Sequence, residues 1–200
     1  MLTQSEIQKA ISTYSVDNLR RYDNFYTREQ LSELRPAAVM LPLYFYENEW
    51  HLLLTKRAET LDEHRGQVAF PGGGQEKEDR NLCETALREM YEEIGVKPED
   101  VHVFGHLGDL PIITGYVVRP FVGQIPWPYT FNLEPEEVHS IFSIPIAWLA
   151  KPENHQVQYR NIAGHDLPVI FFEDYAGYTL WGASAEMTVA LLSALNQIEQ

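Results

Sequence analysis

Glu89, Glu92 and Glu93 stand three and four residues apart, a spacing that puts their carboxylates on one face of a helix. Unpaired like charges at that spacing repel, so the cluster costs stability unless a cation joins it. Carboxylate oxygens are the ligands that hard divalent ions such as Mg²⁺ prefer. The simplest chemistry is a metal site whose metal meets a phosphate. Upstream, Gly72, Gly73 and Gly74 read as a turn before the helix, and a glycine carbonyl at 73 or 74 can add a ligand because glycine allows close backbone approach. Each signal also has a plainer reading. A Glu-Glu pair fits a solvated helix face, and three glycines fit a simple turn.

The elements that must position these groups follow from periodicity. Residues 81–94 carry Leu82, Cys83, Ala86, Leu87, Met90, Tyr91 and Ile94 with a period near 3.6, and Gly95 supplies the stop. Before them, residues 37–46 and 50–55 read as two strands joined at Glu47-Asn48-Glu49, and 67–70 as a short third strand. A short helix is expected over 4–14, with residues 15–35 a helix or an arm. Downstream, 101–110 and 116–124 read as strands joined through Thr114-Gly115. Residues 125–135 form a Pro- and aromatic-rich loop. Residues 136–142 fit a helical turn or a strand, 145–150 a short helix, and 156–160 with 169–172 a hairpin. A last helix over 183–198 buries Met187, Leu191, Leu192 and Leu195. The pattern predicts a mixed β-sheet sandwiched between helices in one domain over 1–200, with 1–35 an N-terminal helix or arm.

Composition bounds the function. The 200 residues carry a formal net charge of -14, which argues against a nucleic-acid backbone as partner. A metal and a few local cations can still reverse the field inside one cleft. Cys83 is the single cysteine, so no internal disulfide forms, and a small buried hydrophobe is its expected role. The first residues lack a basic start followed by an apolar run, and no stretch is long and apolar enough to span a bilayer. No membrane partner is expected, and a cytoplasmic location is the default.

The run Arg88-Glu89-Met90-Tyr91-Glu92-Glu93-Ile94-Gly95-Val96 resembles the second half of the Nudix hydrolase signature. The first half departs from it. The acid expected there falls on Arg80 counting back from Arg88 and on Asp79 counting forward from Gly73, so the loop is one residue longer, with Asp79 as the stand-in. Leu53-Leu54-Thr55-Lys56-Arg57 and Gly66-Gln67-Val68-Ala69-Phe70-Pro71-Gly72-Gly73 are similar to the motif that precedes the Nudix box in coenzyme A pyrophosphatases. Gly123-Gln124, the run from Glu136-Glu137-Val138 to Pro145, and Trp181-Gly182 to Ala185 look like the same group. Asp62, Ala58 and Glu76 depart from it, standing where a basic residue, Ser and Asp are usual. The likeness covers residue 37 to the C-terminus.

What the resemblance implies is a Nudix α/β (α+β) fold and hydrolysis of a nucleoside diphosphate derivative with Mg²⁺ or Mn²⁺. For coenzyme A the products are 3′,5′-ADP and 4′-phosphopantetheine. ADP-ribose, another nucleotide and a non-catalytic nucleotide sensor are the rival readings. Glu89, Glu92 and Glu93 are the expected metal ligands, joined by Gly73, with Glu89 or Glu93 taking a proton from the attacking water. Arg88 is expected to orient a glutamate through a bidentate pair. Lys56, Arg57, Arg65 and Gly72 are expected at the substrate phosphates. Asp62 either weakens recognition of a 3′-phosphate or pairs with Arg65. Glu136 and Glu137 are candidates for a second acid from a distant loop, and His64 is expected at the surface. Trp127, Tyr129 and Phe131 can stack on a base, line a substrate channel, pack their own loop or meet a second copy in a homodimer.

Overall fold

The computed structural model describes residues 2–14, 27–60, 65–162 and 165–196. Its elements are α1 (Gln4–Thr13), α2 (Arg28–Glu33), β1 (Arg35–Tyr46), β2 (Glu49–Arg57), β3 (Val68–Ala69), β4 (Gly72–Gly74), α3 (Leu82–Ile94), β5 (His102–His106), β6 (Leu110–Ile112), β7 (Tyr116–Gln124), β8 (Val138–Pro145), α4 (Ile146–Leu149), β9 (His155–Ile162), β10 (His165–Phe172) and α5 (Gly182–Ala194). The class is α+β, as the sequence pattern predicts.

Strand β1 organises the sheet. It runs parallel to β7 and antiparallel to β2 and β4. Strand β2 carries the antiparallel strands β3 and β8, and β7 carries β5 and β6. Successive side chains on a strand point to opposite faces. On β1 and β2, Leu41, Leu43, Leu52 and Leu54 therefore enter one core with Ile7, Ile11 and the α5 residues Leu191 and Leu192. Ala38, Met40 and Leu53 enter the other, under Ala86, Met90 and Ile94 of α3. Both faces are covered, which is why the middle of β1 reads as an unbroken apolar run. Strands β9 and β10 form a separate two-stranded sheet.

Local chemistry sets the helix ends. Asn81 caps α3, its side-chain oxygen accepting from the Cys83 and Glu84 amides at 3.0 and 3.1 Å, and Gly95 closes it with φ 74°. Thr3 and Glu6 form a reciprocal cap on α1. The helix is held on the sheet by buried Ile7 and Ile11 and by the Trp50 indole, which donates to the Leu2 carbonyl at 2.7 Å.

Two sequence expectations change and one open alternative is settled. The glycines form strand β4 instead of a turn, because they pair with Ala37, Ala38 and Val39 of β1. That approach is close. A Cβ on Gly72 would meet the Ala38 carbonyl oxygen and lie 2.6 Å from the Val39 Cα. The expected strand 101–110 is split into β5 and β6, since Leu107 turns its amide to the Pro120 carbonyl at 2.8 Å and the register shifts between Val103 and Gly105. Residues 138–145 are strand β8, decided by pairing with β2 rather than by local propensity. The last helix ends at Ala194, and 197–200 lie outside the described residues.

Candidate metal and phosphate site

Helix α3 lies over β1 and β4, so its acidic face looks onto the glycine strand. A Cβ built on Gly73 would sit only 2.5 to 2.8 Å from the Glu89 carboxylate. The missing side chain is the space that this carboxylate occupies. One turn on, Glu93 is 3% exposed, and the Gly72 amide lies 3.5 Å from its Oε1.

Burial raises the Glu93 carboxyl to about 8; the Arg57 charge and the Gly72 amide oppose the shift, and Glu137 and Glu89 add to it. Burial also raises Glu89, with Arg88 opposing. Glu92 lies at the rim, its side chain 53% exposed. The three glutamates on one helical face thus occupy three different environments.

Arg88 is the hub of a carboxylate network, with a partner that differs from the sequence expectation. Its bidentate pair is Asp79: Nε donates to Oδ1 and Nη2 to Oδ2, both at 3.1 Å. Nη1 gives single bonds to Glu89 at 3.0 Å and Glu92 at 2.8 Å, and Nη2 also reaches the Gly74 carbonyl at 3.2 Å. The longer loop places Asp79 to meet the guanidinium fork edge-on, and Thr85 and the Glu76 amide complete its shell at 3.0 and 2.9 Å. These contacts, led by Arg88, hold the Asp79 carboxyl down to about 2. The acid missing from the motif's first half is therefore present as an anchor for Arg88.

Strand order brings in further charges. Arg57 pairs with Val138 across β2 and β8, and the Ala58 amide donates to the Glu137 carbonyl at 2.8 Å. Arg57 and Glu137 thus stand side by side and both act on Glu93. The Arg57 Nε is buried and finds no hydrogen-bond partner among the described residues. Glu137 was legible only as a candidate acid on a distant loop; the β2–β8 pairing decides its place. Glu136 is exposed, its amide donating to the Glu134 carboxylate at 3.3 Å.

The other expected phosphate ligands separate. Lys56 follows Leu54 on the opposite face of β2 from Leu53, its cross-strand neighbour Val68 belongs to that opposite core, and its ammonium pairs with Glu59 at 3.2 Å. Arg65 is exposed in the turn before β3. Asp62 and His64 lie outside the described residues. In the 125–135 loop, Tyr129 and Phe131 pack against the α3 core, and Tyr129 donates to Asp100 at 2.8 Å. Trp127 stacks on Tyr44 at 4.0 Å. Asn132 and Glu134 donate to the Ile94 and Glu93 carbonyls, clamping the end of α3.

The donor set fits a hard divalent ion. Glu93 is a carboxylate held out of water, Glu89 is partly buried beside it, and Gly73 passes beneath Glu89. The Gly74 carbonyl is engaged by Arg88, which favours Gly73 among the glycine ligands. Among the described residues, no three His, Cys, Asp or Glu side chains are gathered tightly enough to enclose an ion, since Arg88 holds Glu89 and Glu92 toward itself. A cation bound here would draw those two carboxylates from Arg88, which keeps Asp79. No helix among the described residues is long and apolar enough to cross a membrane.

Known proteins resemble this chain in sequence and in fold. The NUDIX domain family profile matches residues 34–164. The chain is 37% identical to the uncharacterized Nudix hydrolase NudL of Enterobacter sp. (strain 638), over 82% of this chain and 88% of that one. It is 38% identical to the NudL of Cronobacter sakazakii, over 80% and 81%. A crystal structure of a MutT/nudix family protein from Enterococcus faecalis aligns over 98% of this chain and 75% of that one, with a TM-score of 0.55 at 14% identity, a likeness of fold.

Proposed function

The chain belongs to the Nudix hydrolase family, and on that premise we propose that this pyrophosphohydrolase cleaves the diphosphate of coenzyme A or its derivatives. The products are 3′,5′-ADP and 4′-phosphopantetheine. The reading rests on the motif around Lys56-Arg57 and on residues 66–73, which leads into the glutamate helix. The observation that carries the catalytic part is buried Glu93, facing Arg57 and the Gly72 amide with Glu89 and Glu137 within electrostatic reach. One domain over 1–200 and a cytoplasmic location complete the proposal.

Glu89 and Glu93, with Glu92 and Gly73, would hold Mg²⁺ or Mn²⁺. The bound ion neutralises the diphosphate oxygens and lowers the pKa of the attacking water. Arg57, whose Nε finds no hydrogen-bond partner among the described residues, and Arg65, exposed in its turn, would meet the phosphate oxygens. Glu93 or Glu89 accepts the water proton as the new oxygen–phosphorus bond forms. The bridging oxygen–phosphorus bond breaks, and its electrons leave on the second phosphate. Arg88, fixed by Asp79, would hold Glu89 over Gly73 until the cation takes that carboxylate. Catalysis is then mostly placement and charge.

The test is mass-spectrometric product analysis after incubation with Mg²⁺ or Mn²⁺ and coenzyme A, dephospho-coenzyme A, ADP-ribose, NADH or nucleoside triphosphates. Release of 4′-phosphopantetheine is the expected result. Turnover of ADP-ribose alone would overturn the coenzyme A reading and leave the Nudix chemistry. The departures at Asp62, Ala58 and Glu76 favour that second reading. Asp62→Arg is expected to raise the preference for coenzyme A over dephospho-coenzyme A, and an unchanged ratio counts against a role for Asp62.

A further inference from the structure

The hairpin β9–β10 extends beyond the region that the family profile matches, which ends at residue 164. It is a two-stranded sheet of its own, and an isolated hairpin is only marginally stable in water without a third strand or a covering helix. Its two edges differ. The β10 edge meets residues 180 and 181 at its last two residues, where the Phe172 amide donates to the Leu180 carbonyl at 2.8 Å and Phe171 bridges Trp181, on whose ring it stacks, and Asp166 and Pro168 guard the rest of that edge. No strand lies beside β9 on its other edge among the described residues. Val157 and Tyr159 are 56% and 73% exposed on one face of that strand.

Natural edge strands are guarded by Lys, Pro, bulges or shortness. Strand β9 has eight residues, HQVQYRNI, with Arg160 its one formally charged side chain and no Lys, Pro or acid, and its register with β10 is regular throughout. On a chain of net charge -14, two copies repel over most of their surface. The residues 155–160 carry no acid, so like-charge repulsion between copies is low along this edge.

We propose that β9 is the interface of a homodimer, formed by antiparallel pairing of β9 with β9 of a second copy about a twofold axis at Gln158. In that register Val157 of each copy opposes Tyr159 of the other, an apolar–aromatic cross-strand pair made twice. Gln156 opposes Arg160, which keeps the two Arg160 guanidinium groups about four residues apart, roughly 13 Å along the strand. The result is a four-stranded sheet. The outer edges are then the two β10 strands, blocked at Phe171 and Phe172 by residues 180 and 181 and guarded by Asp166 and Pro168, which disfavours addition of further copies. A twofold contact needs the same patch on both partners, and this edge is complementary to itself.

The test uses the full chain. Sedimentation velocity from 1 to 100 μM is expected to give a species of twice 23.1 kDa. The double substitution Val157→Lys with Tyr159→Lys sets like charges opposite each other on exposed positions. It is expected to weaken the dimer by about tenfold or more while the melting temperature and hydrolysis rate stay unchanged. In a Cys83→Ser background, Gln158→Cys is expected to form an inter-copy disulfide on mild oxidation, since facing residues in an antiparallel pair have Cα atoms about 5 Å apart. A chain that is monomeric over the whole range overturns the proposal. So does a dimer that survives both lysines and gives no Gln158→Cys crosslink.

Discussion

The two ends of the acidic face on α3 handle charge in opposite ways. At the Arg88 end every carboxylate has a cation: Asp79 holds the guanidinium by two bonds and Glu89 and Glu92 share the remainder. At the Glu93 end a carboxylate is 3% exposed, with one long contact to the Gly72 amide and the nearby but unbonded charge of Arg57. The first arrangement is satisfied and stabilises the fold. The second is under-compensated, a cost that a protein tolerates where a ligand completes the site. The difference separates the residues that position from those expected to react.

The largest test of this contrast is Glu93→Gln. Turnover is expected to fall by about a thousandfold, because proton acceptance and a metal charge partner are both lost. The melting temperature of the metal-free protein is expected to hold or rise at pH 8 and above, where the buried anion is removed. A variant with near wild-type turnover would take Glu93 out of the mechanism.

Gly73→Ala probes the join between the two ends. Its Cβ would sit 2.5 Å from a Glu89 carboxylate oxygen, the free end of a flexible side chain, so that side chain moves and the backbone stays. A loss of about a hundredfold in kcat is expected with little change in stability. A large drop in melting temperature would instead mark Gly73 as structural.

Asp79→Asn should act the other way. Removing the charge that anchors Arg88 is expected to cost about 2 kcal/mol in urea unfolding, with a smaller effect on kcat. The Asp79 carboxyl lies near 2 when folded against 3.8 unfolded, so its contribution is complete above pH 4 and fades as pH falls toward 2. The variant should lack that acid-side loss.

The last test is a slope. With chelator present, Glu93 binds a proton up to about pH 8 when folded but only to about 4.5 when unfolded. The folded state then holds more protons across that window, so metal-free stability declines as pH rises from 4.5 to 8. Glu93→Gln should flatten the decline, and an equal slope in both proteins would contradict the burial of this carboxylate.

Much of the site was legible because it is local. The α3 face, its Asn81 and Gly95 ends, and the approach of the glycines to the helix acids follow from spacing within residues 72–95. Local periodicity also predicted the β1–β2 hairpin and the β9–β10 pairing. It misread the glycines as a turn, because whether three glycines turn or pair depends on β1, more than thirty residues away in the chain. It also grouped Lys56 with Arg57 as neighbours in sequence, whereas the alternation of β2 directs them to opposite faces.

The sequence by itself determined the fold class, the family and the three carboxylates on one helical face, since each rests on residues within a few turns or strands of one another. Only the tertiary structure decided that these carboxylates are unequal. Depth under the sheet, the pairing of β2 with β8 and the longer loop that carries Asp79 to Arg88 set which acid is buried, which is neutralised and which stays at the rim. Burial and charge proximity are sums over distant segments, so no local pattern of residues contains them.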